Sequence, residues 1–208
     1  GKHTPRAQAQ KYVDNILEQR HGSVLEHANF TLFLYGISRS LTHELVRHRA
    51  GFAYSQLSQR YVYGSRMRFV ERPEFIHQPK LHALFEAQID QFAKLYEETA
   101  TSLLSLQEEG QDKLLTPEAK TDQRKAVNQT ARTFLPNCTE TQIVVTANVR
   151  AWRHFLEMRG SIHAETEIRM LSGRILTVLQ ELAPTLFADF LVSEVAGLPV
   201  LKSAHLKA

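Results

Sequence analysis

Apolar residues along this chain recur at helical spacing, then at strand spacing, with glycine and proline between the runs. Thr4-Pro5 reads as an N-cap followed by proline at the first helical position, and Tyr12, Val13, Ile16 and Leu17 form one apolar face. A helix is therefore predicted over roughly residues 5–20. Ala28 to Ile37, ANFTLFLYGI, is rich in aromatic and β-branched residues with weak alternation, which predicts a mostly buried strand. Ser38 is expected to cap a helix that Gly51 ends, in which Arg39, His43 and Arg47 share a face at four-residue spacing. Tyr61 to Phe69 reads as a second strand.

The second half is more strongly helical. Leu81, Leu84, Phe85, Ile89, Phe92, Leu95, Tyr96, Leu103 and Leu106 form one stripe between Leu81 and Gln107, a packing face rather than a chemical one. Thr116-Pro117-Glu118 is expected to start a helix that stops before Pro136, and Gln142 to Ala147 is a β-branched strand. Asn148 is expected to cap a helix running to about Arg159, stopped by Gly160, with Trp152, Phe155 and Leu156 in the core. A further helix is predicted from His163 to Leu182 with Ile168, Leu171, Ile175, Val178 and Leu182 buried, followed after Pro184 by a short helix and a loose tail. No repeat or low-complexity linker interrupts the pattern, so residues 1–208 are expected to form a single domain.

Composition narrows the class. With 43% apolar and 23% charged residues the chain reads as an ordinary globular protein, and no apolar run approaches the ~18–20 residues of a membrane span. One cysteine, Cys138, excludes an internal disulfide and every multi-cysteine zinc pattern. Together with the absence of a signal-peptide pattern, it leads us to expect a cytoplasmic protein.

Charge is unevenly placed. Between positions 39 and 72 seven arginines (39, 47, 49, 60, 66, 68 and 72) face only Glu44 and Glu71, a net +5, whereas the whole chain carries +3. This segment contains no lysine. A planar guanidinium holds phosphate or carboxylate with two parallel hydrogen bonds, so the segment points to a small anionic ligand rather than a nucleic acid. Metal chemistry is not expected. After His43-Glu44 the second zinc histidine of a peptidase helix is replaced by Arg47, and the pair His163 and Glu165 lacks the paired cysteines of a zinc deaminase. No glycine-rich dinucleotide turn or phosphate loop is present.

Two further constellations flank the arginine segment. His21-Gly22-Ser23-Val24-Leu25-Glu26-His27 by itself reads as a capped loop rather than a site, and Arg150 with His154, four apart, equally as a solvated pair or a ligand contact. In combination they say more. RHGSVLEH, SRSLTHELVRHR, YSQLSQRYV, ARTFLP, NVRAWRHFLEMR and HAETEIR, in this order over about residues 20–175, resemble the flavin-dependent thymidylate synthases.

The resemblance implies an α/β (α+β) protomer with a central, mostly antiparallel sheet, long helices (about 81–134 packed on the sheet) and no Rossmann fold. It also implies a homotetramer with active sites at subunit junctions. The reaction it implies is reductive C5-methylation of dUMP to dTMP, with FAD as cofactor and methylenetetrahydrofolate and NADPH as co-substrates. By motif, His21, Ser23, Glu26, Arg47, His48, Arg49, Gln56, Asn148, Arg150, His154 and His163 are implied in flavin binding. Arg39, Glu44, Arg47, Ser58, Gln59, Arg60, Arg132 and Arg159 are implied in nucleotide binding. Arg159, Ser58 and Arg47 are expected nearest the chemistry, Ser58 as an anchor rather than a nucleophile because no base accompanies it in sequence. No covalent nucleophile is expected, Cys138 lying outside the matched motifs.

Between the RHR triplet and Ser58 stand eight residues, Ala50 through Leu57, one more than the family pattern. This longer loop keeps open a relative that methylates UMP as well as dUMP, of the kind used in nucleoside-antibiotic biosynthesis. From another class, a non-catalytic flavin- or RNA-binding protein is also open, given the pI near 9.0.

Overall fold

The computed structural model describes residues 5–61, 67–110, 112–117 and 119–205. They form eight α-helices, α1 Pro5–Glu18, α2 Arg39–Leu45, α3 Pro73–Ile76, α4 Pro79–Glu109, α5 Lys120–Ala131, α6 Val149–Arg159, α7 Thr166–Leu182 and α8 Pro184–Phe187. The strands are β1 Asn29–Ser38, β2 Phe52–Gln56, β3 Glu140–Asn148, β4 Phe190–Val195 and β5 Leu198–Ser203. The chain divides into two compact units. Gly1–Leu34, Leu41–Ser55 and Val144–Ala208 make the first, and Tyr35–Ser40 with Gln56–Ile143 the second.

A three-stranded sheet has the order β1-β3-β2. Its hydrogen bonds fix the directions. Val149 N donates to Ala28 O and the Thr31 and Thr146 hydroxyls meet at 2.9 Å, while Asn148 N donates to Gly51 O and Leu57 N to Gln142 O. Numbers on β3 fall as those on both neighbours rise, so both pairings are antiparallel, as expected for this class. β1 is only half buried: Leu34, Ile37 and Ser38 are inside, but Phe33 and Tyr35 are exposed. The expected mostly buried strand is thus an edge strand with one aromatic face outward.

In the first unit α6 and α7 carry the core. Asn148 caps α6, its side chain accepting from Ala151 N at 2.8 Å, and Trp152, Phe155 and Leu156 are fully buried beneath it, as the periodicity predicts. Helix α7 begins at Thr166 rather than His163, because the Glu165 carboxylate accepts from the backbone N–H groups of Glu167 and Ile168 and so acts as the cap. Its buried face is Ile168, Ser172, Ile175, Leu176 and Leu179, whereas Val178 and Leu182 are exposed. The expected loose tail is instead a hairpin, with Val195 paired to Leu198 and Phe190 to Ser203. Ala196 and Gly197, both at positive φ, form the two-residue turn that matches strand twist.

Two other expectations change around the arginine segment. Helix α2 ends at Leu45, not near Gly51, so Arg47 leaves the face of Arg39 and His43. Tight backbone bonds from Arg47 N to Glu44 O and from His48 N to Leu45 O close the helix. Phe52–Gln56 then forms β2, and Tyr61 lies in a 3-10 turn, Gln59–Tyr61. Most of the strand expected over Tyr61 to Phe69 falls outside the described residues, and Phe69 makes only an isolated bridge to Thr139. The expected cap at Thr4 also falls outside them, as does Glu118 of the expected Thr116-Pro117-Glu118 helix start.

In the second unit α4 runs 31 residues from Pro79 to a left-handed Gly110, packed by α3 and α5. Only Tyr96 of its stripe is fully buried, and Leu81, Leu84, Leu95 and Leu106 are exposed. Helix α5 starts at Lys120, four residues later than expected, and Arg132 opens a 3-10 turn, Arg132–Phe134.

Candidate functional site

Helix α6 delivers Arg159 from its last turn, and the end of α2 delivers Glu44 and His48. The three meet in the first unit. Arg159 Nε donates to His48 Nε2 at 2.9 Å, Nη1 donates to the Glu44 carboxylate at 2.7 Å, and Nη2 donates to the Glu44 carbonyl at 3.3 Å. A guanidinium has five N–H donors, so two on the Nη nitrogens have no acceptor among the described residues. The result is a fork held from one side with its other edge free.

His48 must be neutral to accept that bond. Burial, the Arg159 charge and the neighbouring His154 together lower its pKa to about 4. Its ring packs edge-on against Phe155 at 5.2 Å, and the rings of Phe52 and His154 lie slightly further away, at 6.0 and 6.3 Å. Phe52 in turn stacks on Tyr54 and meets Trp152 edge-on. The Tyr54 hydroxyl lies 2.9 Å from the Leu45 carbonyl and 2.6 Å from that of His48. It donates to these two carbonyls, and burial raises its pKa, so it stays a donor. Tyr54 was not singled out from sequence. The alternating polar and aromatic run Phe52-Ala53-Tyr54-Ser55-Gln56 was the available signal for a strand that would aim it inward.

Other first-unit residues lie around this cluster in sequence and on its elements. Arg150 donates to Glu26 at 2.6 Å, joining α6 to the 3-10 turn Gly22–Glu26. In that turn Gly22 and Leu25 are buried, while His21 and Ser23 are exposed. Asn148 spends its carbonyl oxygen on the α6 cap. Arg47, Arg49, His154 and His163 are exposed, and among the described residues Arg47 and Arg49 have no ion-pair partner. The loop from Ala50 to Leu57 opens with a turn from Arg49 O to Phe52 N, in which Gly51 sits at φ +74. A Cβ there would lie 2.9 Å from Asn148 Nδ2 and from Ala151 Cβ.

The second unit holds the remaining expected residues. Arg39, partly buried at the start of α2, has its pKa lowered by burial and by the nearby Arg132 guanidinium. Two like charges kept this close favour an anion between or beside them. Arg60 is exposed, its N–H reaching Ser58 Oγ at 3.4 Å and its carbonyl accepting from Asn128 at 3.0 Å. The Gln59 amide nitrogen is buried with no hydrogen-bond partner among the described residues, and Gln56 donates to Thr141 at 3.3 Å. Cys138, in no disulfide, lies on the loop before β3, where its carbonyl accepts from Val70 N.

Comparison with known proteins gives a consistent answer. Residues 2–185 match the family described as "Thymidylate synthase complementing protein". The chain is 44% identical over 190 residues to a protein of Corynebacterium diphtheriae named "Flavin-dependent thymidylate synthase", covering 91% of this chain and 72% of that one. It is 46% identical over 185 residues to a protein of the same name from Mycolicibacterium gilvum, covering 89% and 71%.

Proposed function

The chain belongs to the thymidylate synthase complementing protein family, and from that premise we propose that Arg159, braced by Glu44 and His48, receives the uracil ring of dUMP. The protein is a flavin-dependent thymidylate synthase-type enzyme: it converts dUMP to dTMP with FAD, methylenetetrahydrofolate and NADPH. The observation that carries the assignment of Arg159 is its geometry, two free N–H groups on a partly buried guanidinium whose other donors are all engaged. Uracil presents an imide with carbonyl acceptors, which such an edge complements.

The donors of the first unit fit a flavin dinucleotide. Arg47 and Arg49 bring unneutralised exposed charge for a diphosphate, and His21, Ser23, Arg150 and His154 are exposed hydrogen-bonding groups suited to sugar and ring atoms. A flavin held by these donors would supply the reducing equivalents of the methylation. The protein's own part is binding and polarisation. Arg159 lowers the energy of negative charge that develops on a uracil carbonyl during addition at the ring, a fixed dipole in a partly dry site. Glu44 and His48 keep that donor from rotating, and neutral His48 adds no competing positive charge. In the second unit Arg39 and Arg132, with Ser58, Gln59 and Arg60, are proposed as a group that binds phosphate and sugar.

The homotetramer is proposed with this reading, supported by the exposed leucines of α4 and the outward Phe33 and Tyr35 of β1. A cytoplasmic setting is proposed as well, supported by the single cysteine. Among the described residues no helix is long and apolar enough to cross a membrane. The test is a visible spectrum of the purified protein followed by a methylation assay. Stoichiometric flavin and dTMP formation from dUMP are expected, and purified protein that binds neither flavin nor dUMP would sink the reading.

A further inference from the structure

The residue after Arg159 is Gly160, and the hairpin β4–β5 closes directly on it. Leu201 N donates to Gly160 O at 2.9 Å. A Cβ on Gly160 would lie 2.4 Å from Leu201 Cγ, 2.5 Å from Leu201 Cβ and 2.6 Å from the Leu156 carbonyl oxygen, so the leucine and the last turn of α6 together fill the space that any larger residue would need. Gly160 is at φ −85, a backbone open to all residues. Close approach, not turn conformation, is what requires glycine here.

The hairpin is in turn fixed rigidly to two helices. Arg153 of α6, 1% exposed, makes a bidentate pair with Asp189 at 2.7 Å for both bonds and also donates to Leu186 O and Ser203 Oγ. Burial alone would raise the Asp189 pKa, but its bonds from Arg153 and Ser203 prevail and lower it, so the pair stays ionised. Arg169 of α7 donates to the carbonyls of Pro199 and Leu198 on β5 at 2.6 and 3.1 Å. A strand anchored at both edges thus presents Leu201 to the end of α6. The hairpin begins at Phe190, beyond residue 185 where the family match stops.

We infer that the C-terminal hairpin is a brace for the nucleotide-binding guanidinium, in which Leu201, seated on Gly160, fixes the last turn of α6 and thereby the place of Arg159. Leu201 is a positioning residue and touches no substrate. The inference rests on the assignment of Arg159 to uracil. Displacing a preorganised group by about 1 Å is enough to weaken a contact that depends on paired hydrogen bonds. The residues proposed for flavin on α6, Arg150 and His154, sit on earlier turns, where the Glu26 pair holds Arg150 and the Asn148 cap holds the start of the helix.

The experiment titrates dUMP by calorimetry into flavin-loaded, full-length Leu201→Ala, Leu201→Met, Lys202→Ala and Arg159→Ala, with FAD content read from absorbance. Leu201→Ala is expected to weaken dUMP about tenfold at unchanged FAD content. Leu201→Met, which refills the contact, is expected to restore affinity to within about twofold, and Lys202→Ala, on the exposed side of β5, to match wild type. If Leu201→Ala does not fold, Leu201→Val is read instead, with about a threefold loss expected. Unchanged dUMP affinity overturns the brace, and so does parallel loss of FAD and dUMP. Wild-type affinity in Arg159→Ala overturns the assignment of Arg159 itself, whereas loss there with none at Leu201 overturns the brace alone.

Discussion

Arg159→Lys keeps the charge and removes the fork, so it isolates geometry from electrostatics. The three bonds of Arg159 leave from three different nitrogens toward His48 Nε2, the Glu44 carboxylate and the Glu44 carbonyl. Lysine carries its three donors on one atom and cannot span these acceptors while also offering a parallel pair to uracil. An exposed ion pair would be worth at most about 1 kcal/mol. Here the side chains of Arg159 and Glu44 are only 22% and 33% exposed, so the larger range for charge-assisted bonds, about 1.5–3 kcal/mol, is the better guide. Loss of one bidentate contact then corresponds to a fall of roughly 10–100-fold in dUMP affinity. Calorimetric titration of flavin-loaded protein measures it, with FAD absorbance as the control for intact flavin binding. If Arg159→Lys binds dUMP within about threefold of wild type, the fork does not carry uracil recognition and the reasoning fails.

Gly51→Ala places a side chain at φ +74 and against Asn148 and Ala151, so a loss of about 1–3 kcal/mol is expected. That is a thermal midpoint lower by several degrees, and an unchanged midpoint would contradict the close packing of the longer loop on the α6 cap. Cys138→Ser is expected to retain methylation, since no thiolate takes part, and a folded, flavin-loaded but inactive variant would show the mechanism to be wrong. His48 has its proton affinity depressed to about 4, below its ordinary value of 6.5, so between those values the unfolded chain binds the proton and the folded one does not. Its contribution to stability is therefore complete above about pH 6.5 and is lost as pH falls toward 4, by about 1–2 kcal/mol after allowance for a half-exposed ring. Acid unfolding of His48→Gln should show a shallower slope in that window, and identical slopes would refute the assignment.

Local rules made much of this protein legible from its residues. Asn148 as a cap, the buried face of α6 and the stop at Gly160 follow from interactions within one helix, which sequence spacing encodes directly. The arginine-dense segment leads us to expect an anion site, because so many like charges together call for a counter-charge. Family motifs supplied roles that spacing could not.

Tertiary structure decided what depends on distant partners. Arg159 meets Glu44 across 115 positions of chain and His48 across 111, and no local pattern signals which of several arginines will be held and which left free. The end of α2 was misread for the same reason: its residues have the spacing of a longer helix, but Tyr54 on β2 takes the carbonyls at which the helix stops. The hairpin after Pro184 is not legible in the sequence because it is held by Arg153 and Arg169, buried on helices 26 or more residues before the positions they bond. Helix α4 shows the converse. Periodicity correctly grouped its leucines on one stripe, yet periodicity fixes only which residues share a face, and what covers that face is set by the packing of other elements.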